Sequence, residues 1–365
     1  MAGETRKARI GVIGAGWWTT DNHLPILARR HDVELAGVCR LGRQELAQVR
    51  ERFGIPLATE DYRELLASGP LDGVVIGSPH VAHYEHARAA LEHGAHVLVE
   101  KPLTTGAAGA RALVALARER GKQILIPHGW NFRPATREAR QLVRAGAIGR
   151  IEHVVLQMAS PLRDLFNGQP LAGTEQAAFR PPSSTWADPG RAGGYGWGQL
   201  CHALGLLFRV ADEAALAPTH VFALMGASST GADLYDALSV RFANGATGVI
   251  SGAGTVPKSR GFQVDLRLFG SDGMLLYDLE EGRERLEVRR EAGHGAGDMG
   301  DTGDALFQMG AGDGAYACVE PVERFVDLCL DRPVENDAPG EVGMRAVEVL
   351  DAAYRSARSG RLEPV

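Results

Sequence analysis

Over the first 127 positions, apolar residues gather in short runs at 9–13, 33–38, 71–76, 97–99 and 123–126, parted by longer stretches such as 82–93 and 107–120. Runs this short, rich in valine and isoleucine and with little polar alternation, predict strands buried on both faces of a parallel sheet. The stretches between them predict helices, so strand and helix alternate as in a doubly wound α/β layer. After residue 126 the pattern changes. Strand-like runs at 151–159, 220–227, 237–243, 248–253, 262–269, 274–277 and 285–289 follow one another with few helices between them. That predicts a largely antiparallel sheet, a kind that can leave one face uncovered. Two helices are expected to close the chain, near 319–330 and 341–359. The expected division is a doubly wound parallel domain over 1–127 and an α+β domain with a large, mostly antiparallel open sheet over 128–365.

Chemistry is expected where the parallel strands end, because ligands of open α/β sheets bind outside their carboxyl ends. The first strand runs into Gly14-Ala15-Gly16-Trp17-Trp18-Thr19, a Gly-x-Gly-x-x-Gly turn with threonine in the last place. In a dinucleotide-binding Rossmann turn the first glycine permits the bend, and the second lets backbone N–H groups approach a pyrophosphate at a helix N-terminus. The second strand should end on the residue that reads the adenosine ribose, where an acid favours NAD. Arg40 stands there, with Arg43 nearby. Arginine pairs with a 2′-phosphate instead, which makes NADP the expected cofactor and NAD the other choice. The strand at 97–99 stops at Glu100-Lys101-Pro102, so a rigid element delivers a lysine to the same edge.

Composition narrows the partners. The 365 residues are 45% hydrophobic and 23% charged, ordinary for a globular chain, and the net charge of -6 gives no basic footprint for nucleic acid or anionic membrane. No apolar run approaches a membrane span, and the first residues show no signal-peptide core. Cys39, Cys201, Cys318 and Cys329 are scattered, and a reducing cytoplasm is the expected location. His80, His83 and His86 cluster without a matching carboxylate or thiolate set, so no metal is expected. Residues 161–194, with Pro-Pro, Ser-Ser and several glycines, read as a lid or a surface loop, and the glycine- and aspartate-rich stretch 293–314 as a surface loop.

A helix is expected from Tyr195. At about 100° per residue, Trp197, Leu200, Cys201, Leu204, Leu207 and Phe208 fall on one side, and Tyr195, Gln199 and His202 together on the other. That polar face either lines a cleft or meets solvent.

The glycine turn, Ser78-Pro79-x-x-x-His83, Glu100-Lys101-Pro102 and the closing run Ala353-Tyr354-Arg355-Ser356-Ala357-Arg358-Ser359-Gly360 resemble the Gfo/Idh/MocA oxidoreductases, over nearly the whole chain. The resemblance implies an NAD(P)-dependent oxidoreductase acting on a secondary alcohol or ketone of a sugar, cyclitol or glycoside, with Lys101 catalytic. It implies cofactor contacts at Gly14, Gly16, Trp17, Trp18, Arg40 and Arg43, and on the neighbouring strand ends at Ser78, Pro79, His80, His83, Glu100 and Lys101. Members commonly carry Gly-Gly and then Asp-x-x-x-His. His202 matches the histidine, but the aspartate's place is Gly198. His202 is therefore expected as proton-transfer residue with Tyr195 or Gln199 as helper. His128, Asn131 and Arg163, which follow the parallel sheet or sit in the possible lid, are expected as substrate contacts. The resemblance also implies a homodimer or homotetramer formed through the free face of the second sheet. Two alternatives are a redox-neutral nicotinamide-dependent glycosidase and a non-catalytic cofactor-binding regulator. Retention of Lys101 and His202 speaks against the regulator, whereas Gly198 suits it.

Overall fold

The short apolar runs become β1 (Ala8–Ile13), β2 (Val33–Cys39), β4 (Gly73–Ile76), β5 (His96–Val99) and β6 (Ile124–Leu125), joined by β3 (Leu57–Thr59). They pair in the order β3-β2-β1-β4-β5-β6, every pairing parallel. Val74, Val75, Val97, Leu98 and Val99 are fully buried, as coverage of both sheet faces requires. The order reverses at β1, which has β2 on one side and β4 on the other. In open α/β sheets such a point of reversal, here at the carboxyl ends of β1 and β4, is where ligands are expected to bind.

The computed structural model describes residues 6–290, 304–310 and 312–365. The chain divides into two compact units. The first takes 1–127 with the later segments 170–185 and 318–344, and the second takes 128–169, 186–317 and 345–365. Nothing in the hydrophobic pattern signals the two returns to the first unit. In the second return, the helix Val319–Cys329 packs against β5 and against the helix Leu24–Arg29. A Cβ at Gly73 would lie 2.5 Å from the Cys329 sulfur, so glycine there lets that helix approach the sheet.

Charge holds the same return in place. Arg30 grips Asp32 with two nitrogens at 2.9 and 2.7 Å, and Arg332 reaches the same carboxylate at 2.7 Å and Asp327 at 2.6 Å. The Arg30 hydrogen bonds, with those of Arg332, outweigh burial and hold the Asp32 carboxyl well below the usual range. A depressed folded pKa contributes stability that is present above the ordinary value of about 3.9 and is lost as pH falls toward the folded value. Asp32→Asn is expected to cost on the order of 2 kcal/mol at neutral pH, since the arginines stay partly solvated. Denaturant midpoints measured from pH 7 down to pH 3 should converge for parent and variant. A constant gap across that range would rule out the ion pair as its source.

Among the described residues of the second unit nine strands pair in the order β14-β13-β12-β11-β7-β10-β9-β8-β15. They include β7 (Ile151–Ala159), β8 (Pro218–Ala227), β9 (Asp233–Phe242), β10 (Thr247–Ala253), β11 (Gln263–Gly270), β12 (Gly273–Asp278) and β13 (Arg285–Arg290). Only β7 and β10 run parallel; the other neighbours are antiparallel. Along β9, Leu238, Val240 and Phe242 are buried while Tyr235, Ala237 and Ser239 are exposed, the period of two that marks one covered face. Leu224 is 67% exposed on the uncovered side, with Tyr235 and Val249 also exposed. Two short strands, β14 (Ala305–Phe307) and β15 (Glu363–Pro364), add to the sequence reading. Of the stretch expected as a loop over 293–314, positions 293–303 and 311 lie outside the described residues. Among the described residues no helix is long and apolar enough to cross a membrane.

Candidate functional site

The glycine turn is built by close backbone contact. Gly14 has φ +87°, and a Cβ on it would lie 2.2 Å from the Ser78 nitrogen, so only glycine lets the loops after β1 and β4 meet. A Cβ at Gly16 would meet nothing within 4 Å, so the space over the second glycine is open. The chain then turns helical, π-type over Thr19–His23 and α-type over Leu24–Arg29. Thr19 takes the third glycine's place without a clash because it faces Gly77, where a Cβ would lie against the Thr19 hydroxyl. Trp17 and Trp18 are half-buried and meet edge to face.

Arg40 is held at this turn. It donates to the carbonyl of Ala15 at 2.8 Å and of Leu41 at 3.2 Å, and its guanidinium lies 4.1 Å from the centre of the Phe179 ring. Phe179 comes from segment 170–185, so the middle of the stretch read as a lid or loop belongs to the first unit. Burial pushes the Arg40 guanidinium below its ordinary value. Arg43 is solvent-exposed and pairs with Glu60 at 3.4 Å. Open space at Gly16 and a held arginine beside Ala15 fit a dinucleotide.

Lys101 is buried directly beyond β5. Glu100 bonds His23 at 2.7 Å, with both side chains enclosed. The His83 ring spans the carbonyl oxygens of Pro102 at 2.6 Å and Ser78 at 2.8 Å, and so ties the lysine's turn to the loop after β4. Burial pushes the His83 imidazole down from its ordinary value. Ser78 meets His86 through its hydroxyl at 2.9 Å, and His80 is buried edge-on to His83. Pro79 precedes the turn His80–Ala82. Among the described residues no group of three His, Cys, Asp or Glu side chains is placed to hold a metal.

In the second unit the helix expected from Tyr195 opens with a π-type turn over Gly196–Leu200 before the α-helix Cys201–Ala211. Asp233 grips its start. One carboxylate oxygen accepts from the Gly196 N–H at 2.7 Å and the other from the Tyr354 hydroxyl at 2.7 Å. Burial, first of all, raises the Asp233 carboxyl, against these hydrogen bonds. Trp197 stacks on Tyr354 with ring centres 5.1 Å apart.

This geometry corrects one expectation. Tyr195 does not share a face with His202. It is fully buried, its hydroxyl donates to the Met158 carbonyl at 3.3 Å, and its ring lies on Gly252 and Gly254, where a Cβ would come within 2.8 and 3.2 Å. Burial pushes its phenol well up. The cause is the π-type turn, whose i→i+5 hydrogen bonds fit more residues into each turn and so break the 100° spacing. Gln199 is buried too, so the helix has no solvated polar face.

The hydroxyl that meets the His202 ring belongs to Tyr316, 3.1 Å from Nδ1. His128 and Trp130 stand edge-on to His202 with ring centres 5.7 and 6.1 Å away, and Tyr316 is edge-on to Trp130 at 5.0 Å. Trp130 is fixed in turn by donating to the Gly314 carbonyl at 3.0 Å. His128 packs on Gly205, where a Cβ would be 2.6 Å from its ring. Asn131 is fully buried and donates to the Gly205 carbonyl at 3.2 Å, which makes it a brace for the helix rather than a substrate contact. Arg163 is exposed at the start of the short helix Arg163–Phe166. At Gly198 a Cβ would lie 3.1 Å from the rings of Phe166 and Trp186, so aromatic packing occupies the place of the family's aspartate.

Two family models match the chain: "Oxidoreductase family, NAD-binding Rossmann fold" over residues 8–128, and "GFO/IDH/MocA C-terminal domain" over 136–276. The chain belongs to the Gfo/Idh/MocA oxidoreductase family. Among curated relatives, D-glucoside 3-dehydrogenase of Escherichia coli (strain K12) is 32% identical over 143 residues, 39% of this chain and 41% of that protein. The dTDP-3,4-didehydro-2,6-dideoxy-alpha-D-glucose 3-reductase of Streptomyces violaceoruber is 35% identical over 43% of this chain and 46% of that protein. These matches span less than half of each relative. Among solved structures, levoglucosan dehydrogenase in complex with NADH and L-sorbose superposes with TM-score 0.74 at 19% identity, covering 99% of both chains. GenD2 from gentamicin A biosynthesis, in complex with NAD, gives 0.72 at 24% identity, covering 100% of this chain and 98% of that one. At these identities the likeness is one of fold.

Proposed function

We propose that this protein is an NAD(P)-dependent oxidoreductase acting on a secondary alcohol or ketone of a sugar, cyclitol or glycoside. The observation that carries it is Lys101, buried where β5 ends in the sheet whose β1 ends in the open Gly14–Gly16 turn. A bound nicotinamide supplies the hydride acceptor or donor. The chain's residues do the rest. The glycine turn holds the pyrophosphate, and Arg40 reads the adenosine ribose. Lys101 donates a hydrogen bond to the substrate oxygen and stabilises negative charge there. His202 takes or returns the proton, with Tyr316 orienting the ring through Nδ1. The glucoside dehydrogenase and deoxyhexose reductase among the relatives support a sugar substrate. The test is calorimetric titration with NADP(H) and NAD(H), followed by nicotinamide absorbance against a panel of D-glucosides, levoglucosan and 3-keto sugars. A protein that binds neither dinucleotide would sink the reading.

NADP is the preferred cofactor in this reading. An Arg–phosphate contact is worth roughly 1.5–3 kcal/mol, so NADP(H) should bind about tenfold or more tighter than NAD(H). Arg40→Asp should erase or reverse that ratio. Tighter binding of NAD to the parent protein would show that the ribose is read by another group.

The uncovered sheet face, with Leu224, Tyr235 and Val249, is assigned as a subunit interface giving a homodimer or homotetramer. Light scattering on the eluting protein should report two or four chains, and Leu224→Asp should lower that mass. A monomeric parent protein at working concentration would remove the assignment.

A further inference from the structure

His23 is among the buried histidines to which the chemistry above gives no step. His23 ends the π-type turn Thr19–His23 and is 2% exposed. Its Nε2 lies 2.7 Å from Oε1 of Glu100. An ionised carboxylate only accepts, so Nε2 carries the proton and donates. Nδ1 has no hydrogen-bond partner among the described residues, so Glu100 is the polar group this ring serves. The second oxygen, Oε2, accepts from the backbone N–H of Lys101 at 3.2 Å. A chain of contacts thus runs from the helical turn behind the glycine motif, through a carboxylate, to the lysine.

The titratable groups around Glu100 are His23, Lys101 and His83. Burial opposes the Glu100 charge, but the His23 hydrogen bond and the charges of these neighbours outweigh it and hold the carboxyl below its ordinary value. We propose that His23 is a positioning residue for Lys101: its hydrogen bond keeps Glu100 an anion that fixes the lysine's backbone and stands as counter-charge to its ammonium. Remove the donor, and a buried carboxylate without its partner takes up a proton. Lys101 then loses a negative neighbour, and its ammonium releases its proton at lower pH. The inference rests on Lys101 as the group that meets the substrate oxygen.

The chain has only four lysines, Lys7, Lys101, Lys122 and Lys258, so Lys101 can be followed directly by NMR of protein isotope-labelled at lysine Cε, with Lys101→Arg assigning its signal. The holoprotein saturated with NADPH is titrated without any substrate. His23→Leu is expected to lower the Lys101 midpoint by about one pH unit, and Glu100→Gln by at least as much. His23→Gln, whose amide still donates, should stay near the parent value. If the midpoint is unchanged in both His23→Leu and Glu100→Gln while both melt earlier, His23 is merely structural and the proposal is overturned. Should His23→Leu fail to fold, an unmoved midpoint in Glu100→Gln overturns it equally. Undiminished hydride transfer by Lys101→Ala defeats the functional reading instead, and leaves the titration as it stands.

Discussion

Lys101→Ala is expected to slow hydride transfer by about 10²–10⁴-fold while dinucleotide binding stays nearly intact. The separation follows from where the two tasks sit. In the proposed reading the pyrophosphate is taken by backbone groups of the Gly14–Gly16 turn, whose geometry depends on the Gly14 contact with Ser78 and not on the lysine side chain. In the same reading the ammonium acts on charge that develops at the substrate oxygen, an interaction stronger in the transition state than before it. Single-turnover absorbance of the nicotinamide measures the chemical step, and calorimetry measures binding. Full activity would return Lys101 to a structural role at a strand end. Loss of binding in parallel would mean that the alanine disturbs the turn held by His83.

His202→Ala should cost a comparable 10²–10⁴-fold, roughly, in the chemical step, measured with whichever sugar the panel identifies. Tyr316→Phe should cost less, about tenfold, because it removes one hydrogen bond that orients the ring and leaves the ring itself. Tyr195→Phe should be nearly silent in kinetics, since its hydroxyl is spent on the Met158 carbonyl in the core. A pattern in which Tyr195→Phe abolishes turnover and His202→Ala does not would invert the assignment. Equal, large losses for His202→Ala and Tyr316→Phe would make the phenol a proton carrier in its own right.

The parallel sheet was legible because its strands are buried on both faces and leave unbroken apolar runs, and Lys101 because a strand end is a fixed address. Gly14 was legible for a similar reason: only glycine permits the backbone approach it makes to Ser78. The orientation of the second unit's helix was not. Its expected faces assumed regular α geometry, and the π-type turn at Gly196–Leu200 turned Tyr195 onto the sheet. Glycines at 194, 196 and 198 within five residues were the available sign, since a regular helix carries few. Gly198 reads in sequence as a missing catalytic acid, but its neighbours Phe166 and Trp186 show a position closed by packing. Tyr316 could not be paired with His202 in advance. It lies more than a hundred residues away, beside a stretch with no periodicity, and hydrogen bonds between distant loops leave no pattern in the chain.

The returning segment 318–344 also finishes an edge. β6 is the last strand of the parallel sheet, and its open side is met by Asn336, which donates to the Ile124 carbonyl at 2.9 Å, and by the Ala338 carbonyl, which accepts from the Ile126 N–H at 2.9 Å. Leu125 and Pro339 form an antiparallel bridge there. A gene fragment ending at Pro127 would encode every strand of the nucleotide fold and still leave that edge bare to pair with other chains. A chimera that exchanges this nucleotide-binding sheet must therefore carry 318–344 along with it.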